Sequence, residues 1–63
     1  MKILNIITLS IYSPSHGAYT EREESLTRPY RVTYKGAARI IAKERGCKPS
    51  DLNVIRIETS IFI

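Results

Sequence analysis

Catalysis needs reactive groups that can meet, and in this 63-residue chain they are sparse: one cysteine, Cys47, one histidine, His16, and the acidic run Glu21, Glu23 and Glu24. A nucleophilic mechanism would have to set Cys47 or a hydroxyl beside a base. Cys47, however, follows the C-terminal end of an expected helix, where the helix dipole disfavours a thiolate. It reads as a small residue packed at the helix end. His16 stands between Ser15 and Gly17 with no second histidine in the chain, so it reads as part of a solvated loop rather than as a proton shuttle or metal ligand. Glu21, Glu23 and Glu24 alternate with Arg22, which suits a solvated charged loop better than an acid/base pair. Gly17, Gly36 and Gly46 are too far apart to cradle a phosphate, and neither G-x-x-x-x-G-K nor G-x-G-x-x-G occurs, which excludes nucleotide hydrolysis by those motifs. The expectation is a non-enzymatic binding protein with no cofactor and no metal.

Basic residues are the more informative set. Ten Lys and Arg against six Asp and Glu give a formal net charge of +4, which suits contact with something acidic. Arg28, Arg31, Lys35, Arg39, Lys43, Arg45 and Lys48 fall close together in sequence. Arg39 and Lys43, four residues apart, project from one side of the expected helix, with Lys35 nearby and Arg31 and Arg45 in support. A phosphate backbone or an acidic protein groove could lie along such a face. A helix face that only confers solubility is the other reading, and the residues leave both open. Tyr12, Tyr19, Tyr30 and Tyr34 are candidate stacking platforms. Tyr30 and Tyr34 share a face with Val32 and are expected in the core, whereas Tyr12 and Tyr19 are less determined.

The elements that would position these residues follow from periodicity. Ile3, Ile7, Leu9 and Ile11 repeat with period two within Met1 to Tyr12, predicting a first strand. Ser13-Pro14-Ser15-His16-Gly17 turns the chain, and the charged stretch Tyr19 to Glu24 is expected to leave the core. Arg28 to Lys35 alternates Tyr30, Val32 and Tyr34 with Arg31, Thr33 and Lys35, which predicts a second strand with Pro29 at its start or on an edge. From Gly36 to Arg45 the pattern is helical, with Ala37, Ala38, Ile40, Ile41 and Ala42 in one arc, Gly46 as the terminating residue and Pro49 beyond it. Pro49 to Leu52 reads as a turn. Ile55, Ile57, Ile61 and Ile63 then alternate with Arg56, Glu58, Ser60 and Phe62 in a third strand.

Together these predict one α+β domain over residues 1–63: a small antiparallel sheet in ββαβ order with one helix packed on one face. The apolar end of the last strand is an edge that invites pairing, so a homo-oligomer through the C-terminal strand is anticipated. A lone cysteine fits a reducing compartment, and the first apolar run, interrupted by Asn5, Thr8 and Ser10, is far short of the ~20 residues of a membrane helix. The expected location is the cytoplasm, with no membrane partner.

The stretch Ala38-Arg39-Ile40-Ile41-Ala42-Lys43-Glu44-Arg45-Gly46-Cys47, followed by Arg56-Ile57-Glu58-Thr59 and preceded by Thr20-Glu21-Arg22-Glu23, resembles the small phage-encoded type I-F anti-CRISPR proteins. The resemblance implies a small antiparallel sheet with one helix, and an inhibitor that keeps target DNA from a CRISPR surveillance complex by occupying its backbone subunits. Basic helix residues make those contacts in the family; the matching positions are Arg39 and, with a one-residue offset, Lys43. Three classes therefore stand: an inhibitor of a larger protein or ribonucleoprotein complex, a direct nucleic-acid binder using the same face, and an oligomerisation module.

Overall fold

The computed structural model describes residues 1–62. Its elements are β1 (Lys2–Ser13), β2 (Ala18–Arg28), α1 (Tyr34–Arg45), one 3-10 turn (Pro49–Asp51) and β3 (Leu52–Phe62). The sheet has the order β2-β1-β3, and both outer strands run antiparallel to β1. They are therefore parallel to each other, joined by a helical crossover that passes over β1. The α+β class and the ββαβ order are as the sequence predicts.

β1 is central because it alone has a strand's hydrophobic period along its length. Ile3, Asn5, Ile7 and Leu9 are buried toward the helix, while Leu4, Ile6, Thr8 and Ser10 are half-buried on the other face. Its partner β2 corrects the expectation for Tyr19 to Glu24: these residues are not a loop but pair with β1 in unbroken register, Tyr12 opposite Tyr19 through Ile3 opposite Arg28. The turn explains why. The amides of His16 and Gly17 both donate to the Ser13 carbonyl, at 3.1 and 2.8 Å, and Gly17 takes the left-handed conformation (φ 62°), so the chain reverses within four residues and must return along β1. Only Leu26 of β2 is buried. An edge strand of that composition gives almost no hydrophobic period to read.

Arg28 to Lys35 is likewise not a strand. Arg28 ends β2, residues 29–33 belong to no helix or strand, and Tyr34 and Lys35 open α1. Asn5 is the cause. Its side chain is fully buried; Nδ2 lies within donating distance of the carbonyls of Leu26 (3.2 Å), Ile3 (3.3 Å) and Tyr30 (3.3 Å), and Oδ1 accepts from the amide of Val32 (3.1 Å). The backbone groups of this segment that would otherwise need a neighbouring strand find one side chain instead. Val32 is thereby buried against the core, but Tyr30 and Tyr34, expected beside it, are 52% and 53% exposed.

Thr33 caps the helix: its backbone is extended and its Oγ1 accepts from the Gly36 amide at 3.0 Å, so α1 starts two residues earlier than periodicity indicates. Gly36 has no side chain to crowd that bond; a Cβ there would lie 3.1 Å from Thr33 Oγ1. At the other end Gly46 adopts the left-handed conformation (φ 72°) and its amide donates to the Ala42 carbonyl, as its position predicts. Ala37, Ile41 and Ala42 face inward and join Ile7, Leu9, Leu26, Val32 and Leu52 in one core.

β3 begins at Leu52, three residues before the predicted start. Val54 pairs with Leu9 and Arg56 with Thr8, so Ile55 is an extra residue in the ladder, a bulge, and it is 46% exposed rather than aligned with Ile57. The hydroxyl of Tyr34 lies 3.5 Å from the Ile55 carbonyl. Leu52 takes the core position. Ile63, assigned to the same strand, lies outside the described residues. Among those residues, no helix is long and apolar enough to cross a membrane.

Replacing Asn5 by Leu keeps the volume but leaves the Val32 amide and the clamped carbonyls without their partner; the expected loss is about 2–4 kcal/mol in urea unfolding. Asn53→Leu, at an exposed site, is the control, with an expected change within about 0.5 kcal/mol. Equal effects of the two would contradict the clamp.

Candidate binding surface

The five basic residues singled out from the sequence do not form one group. Lys35, Arg39 and Lys43 follow one another at four-residue spacing on α1 and all three are exposed. At ~1.5 Å rise per residue they stand about 6 Å apart along the axis, a stripe of about 12 Å. None of the three is in an ion pair: among the described residues the pairs found are Arg45–Glu24 and Arg56–Glu58. The first turn of the helix carries no acidic residue either. The one carboxylate of the helix, Glu44, follows Lys43 and forms no ion pair with the stripe among the described residues.

Arg45 departs from the expected arrangement. It lies four residues after Ile41 and three after Ala42, both buried, so it leaves the helix on the side facing the sheet. There its guanidinium Nη2 bonds Glu24 Oε1 on β2 at 2.5 Å, with both side chains about a third exposed (33% and 31%). Arg45 thus ties the helix end to the edge strand and is not part of the stripe. Counting from Ile41 exposes this in the sequence, provided Glu24 is recognised as strand. Arg31 is exposed in the segment before the helix, beyond the N-terminal end of the stripe.

The other face of the sheet carries charges of both signs, Arg56 opposite Thr8 among them. Glu21, Glu23 and Glu58 pair with Ser10, Thr8 and Ile6 respectively, so all three stand on the sheet face turned away from the helix. This open face also carries the exposed pair Tyr12 and Tyr19, whose rings lie 5.2 Å apart at 57°. Their partner is each other across the hairpin.

The reactive side chains remain scattered. His16 Nδ1 lies 3.0 Å from Ser13 Oγ and 3.2 Å from Ser15 Oγ, a local set of hydrogen bonds within the hairpin turn. A shallow groove of about 310 Å³ runs between this turn and the helix end, bordered by His16, Thr20, Arg22 and Arg45. Cys47 is half-buried and packs against the core just beyond Gly46. Among the described residues no three His, Cys, Asp or Glu side chains are grouped as a metal site would require. Compared with protein families, with characterised proteins and with solved structures, the chain matches none.

Because the Arg45–Glu24 pair is partly solvated, Glu24→Gln should lower stability by no more than about 1 kcal/mol. Raising the salt concentration should shrink the difference between variant and parent. A thermal-unfolding series at low and high salt checks both; a loss several times larger would mean that Glu24 does more than hold Arg45.

Proposed function

We propose that this is a non-enzymatic binding protein that inhibits a larger protein or ribonucleoprotein complex by laying the Lys35, Arg39 and Lys43 stripe into an acidic or nucleic-acid-accepting groove. One observation carries the reading: three exposed cations in a row on one helix, none of them in an ion pair among the described residues. A solubilising surface needs no such segregation, since interspersed charges serve it better. Regular spacing on a packed helix also fixes the charges before contact, which reduces the ordering cost of binding. The resemblance of residues 38–47 to the helix of type I-F anti-CRISPR proteins supports the same face, and in that setting the groove is where target DNA would hybridise to a CRISPR surveillance complex. Inhibition is then competition by shape and charge. Arg45, engaged with Glu24, contributes to holding the helix in place, and Arg31 extends the positive surface.

A direct nucleic-acid interaction through the same stripe is the second reading, favoured by the ~6 Å intervals, which suit successive phosphates. Salt dependence separates the two. Three contacted phosphates on a duplex predict a slope of log affinity against log salt of about −3, at about 0.9 per phosphate.

The deciding experiment is capture from a bacterial lysate with and without nuclease, using the parent and an Arg39→Glu, Lys43→Glu double variant side by side. Capture of a discrete protein complex that resists nuclease, with binding at least about tenfold weaker in the variant, is the expected result. Equal binding by parent and variant would remove the stripe from the interface. Nucleic acid alone, lost on nuclease treatment, would favour the second reading.

A further inference from the structure

We propose that the protein dimerises by pairing the free edge of β3 with β3 of a second copy, antiparallel and centred on Thr59. The sheet has two free edges, and they are built differently. The β2 edge carries Glu21, Arg22, Glu23, Glu24 and Arg28, a density of charge that discourages strand addition. On β3 the charged residues are Arg56 and Glu58, and they are bonded to each other, Nε to Oε1 at 3.2 Å. From Thr59 to Phe62 the strand has no charge, and it ends in two apolar side chains left in water, Ile61 at 53% and Phe62 at 40% exposure.

The bulge selects the register. It interrupts the ladder at Ile55, so among the described residues the regular strand available for pairing runs from Arg56 to Phe62. Matching that stretch with its own reverse places the two-fold axis at Thr59. Arg56 then faces Phe62 of the second copy, Ile57 faces Ile61, Glu58 faces Ser60, and Thr59 faces itself. No like charges stand directly opposite, and Arg56 meets an aromatic ring, a favourable neighbour for a guanidinium. Thr against Thr is a favourable cross-strand pair. Ile57 already packs against the core, and it shares its sheet face with Ile61, since they pair with Ile7 and Ile3 of β1. Ile61 of the second copy would therefore extend a core that exists. The edge complements itself at each of these positions, which is why the occupant is a second copy.

The product is a continuous six-stranded sheet. A two-fold axis between paired edges is perpendicular to the sheet, so both helices, with both basic stripes, lie on the same side of the dimer. This does not depend on what the stripe binds.

Sedimentation velocity across a concentration series should show a reversible monomer to dimer transition, weakened at least about tenfold by Ile61→Lys. Ile61 is exposed, so the variant monomer should keep its fold by circular dichroism. Cross-linking tests the register without removing anything from the interface. In a Cys47→Ser background, Thr59→Cys should oxidise rapidly to a disulfide dimer, because directly opposed residues of antiparallel strands lie ~4.5–5.5 Å apart at Cα, within disulfide range. Glu23→Cys on the β2 edge should not. A chain that stays monomeric up to about 1 mM, a dimer indifferent to Ile61→Lys, or cross-linking no faster at position 59 than at 23 would each overturn the proposal.

Discussion

The hydrogen-bonding capacity of one buried amide, Asn5, is the constraint on which the rest of this fold depends. A polar side chain in the middle of the central strand would be costly to bury unless its donors and acceptor were met. Here they are met by backbone on both sides of the end of β2: Leu26 on the strand, Tyr30 and Val32 in the segment leading to α1. The amide thus joins the end of the edge strand to the start of the crossover. With Val32 held inward, Thr33 follows in the extended conformation that lets its hydroxyl cap the helix. Helix placement, and with it the orientation of Lys35, Arg39 and Lys43, traces back to residue 5.

Geometry sets how much of the sheet the helix can cover. β2 ends opposite Ile3 and β3 begins opposite Ile11, a separation of eight residues along β1, or about 26 Å. The 12-residue helix spans about 18 Å, and the connections make up the rest. Core residues therefore concentrate in the middle of the sheet, at Ile7, Leu9 and Leu26, and its ends are less well covered: Ile61 at one end, the hairpin turn and its groove at the other. Arg45 and Glu24 meet at one border of the covered zone.

What the sequence reveals and what it hides divide along physical lines. Elements that bury one clean face, β1 and α1, are legible from the spacing of their apolar residues, as is the helix stop at Gly46. β2 is hidden because an edge strand under little of the helix needs no apolar alternation; its pairing is dictated by the turn at Ser13 to Gly17, a signal of geometry rather than hydrophobicity. The alternation of Tyr30, Val32 and Tyr34 misleads for the opposite reason. It satisfies the pattern of a strand, but a side chain 27 residues earlier than Val32 claims the backbone amide that a strand would have used. The basic stripe is visible as spacing, while the separation of Arg45 from it requires knowing that Glu24 stands on a strand paired with β1 rather than in a loop.

The topology also has a consequence for the order in which the chain can fold. β1 and β2 are joined by a four-residue loop and can pair within microseconds of leaving the ribosome, whereas β3 must find a partner strand made some 40 to 60 residues earlier, Ile11 opposite Leu52 and Lys2 opposite Phe62. Until then the hairpin exposes one flank of β1, with Ile3, Ile7 and Leu9 uncovered by the helix. A sheet whose last pairing spans most of the chain has a high contact order, so closing the crossover rather than forming the hairpin is the step expected to set the folding rate.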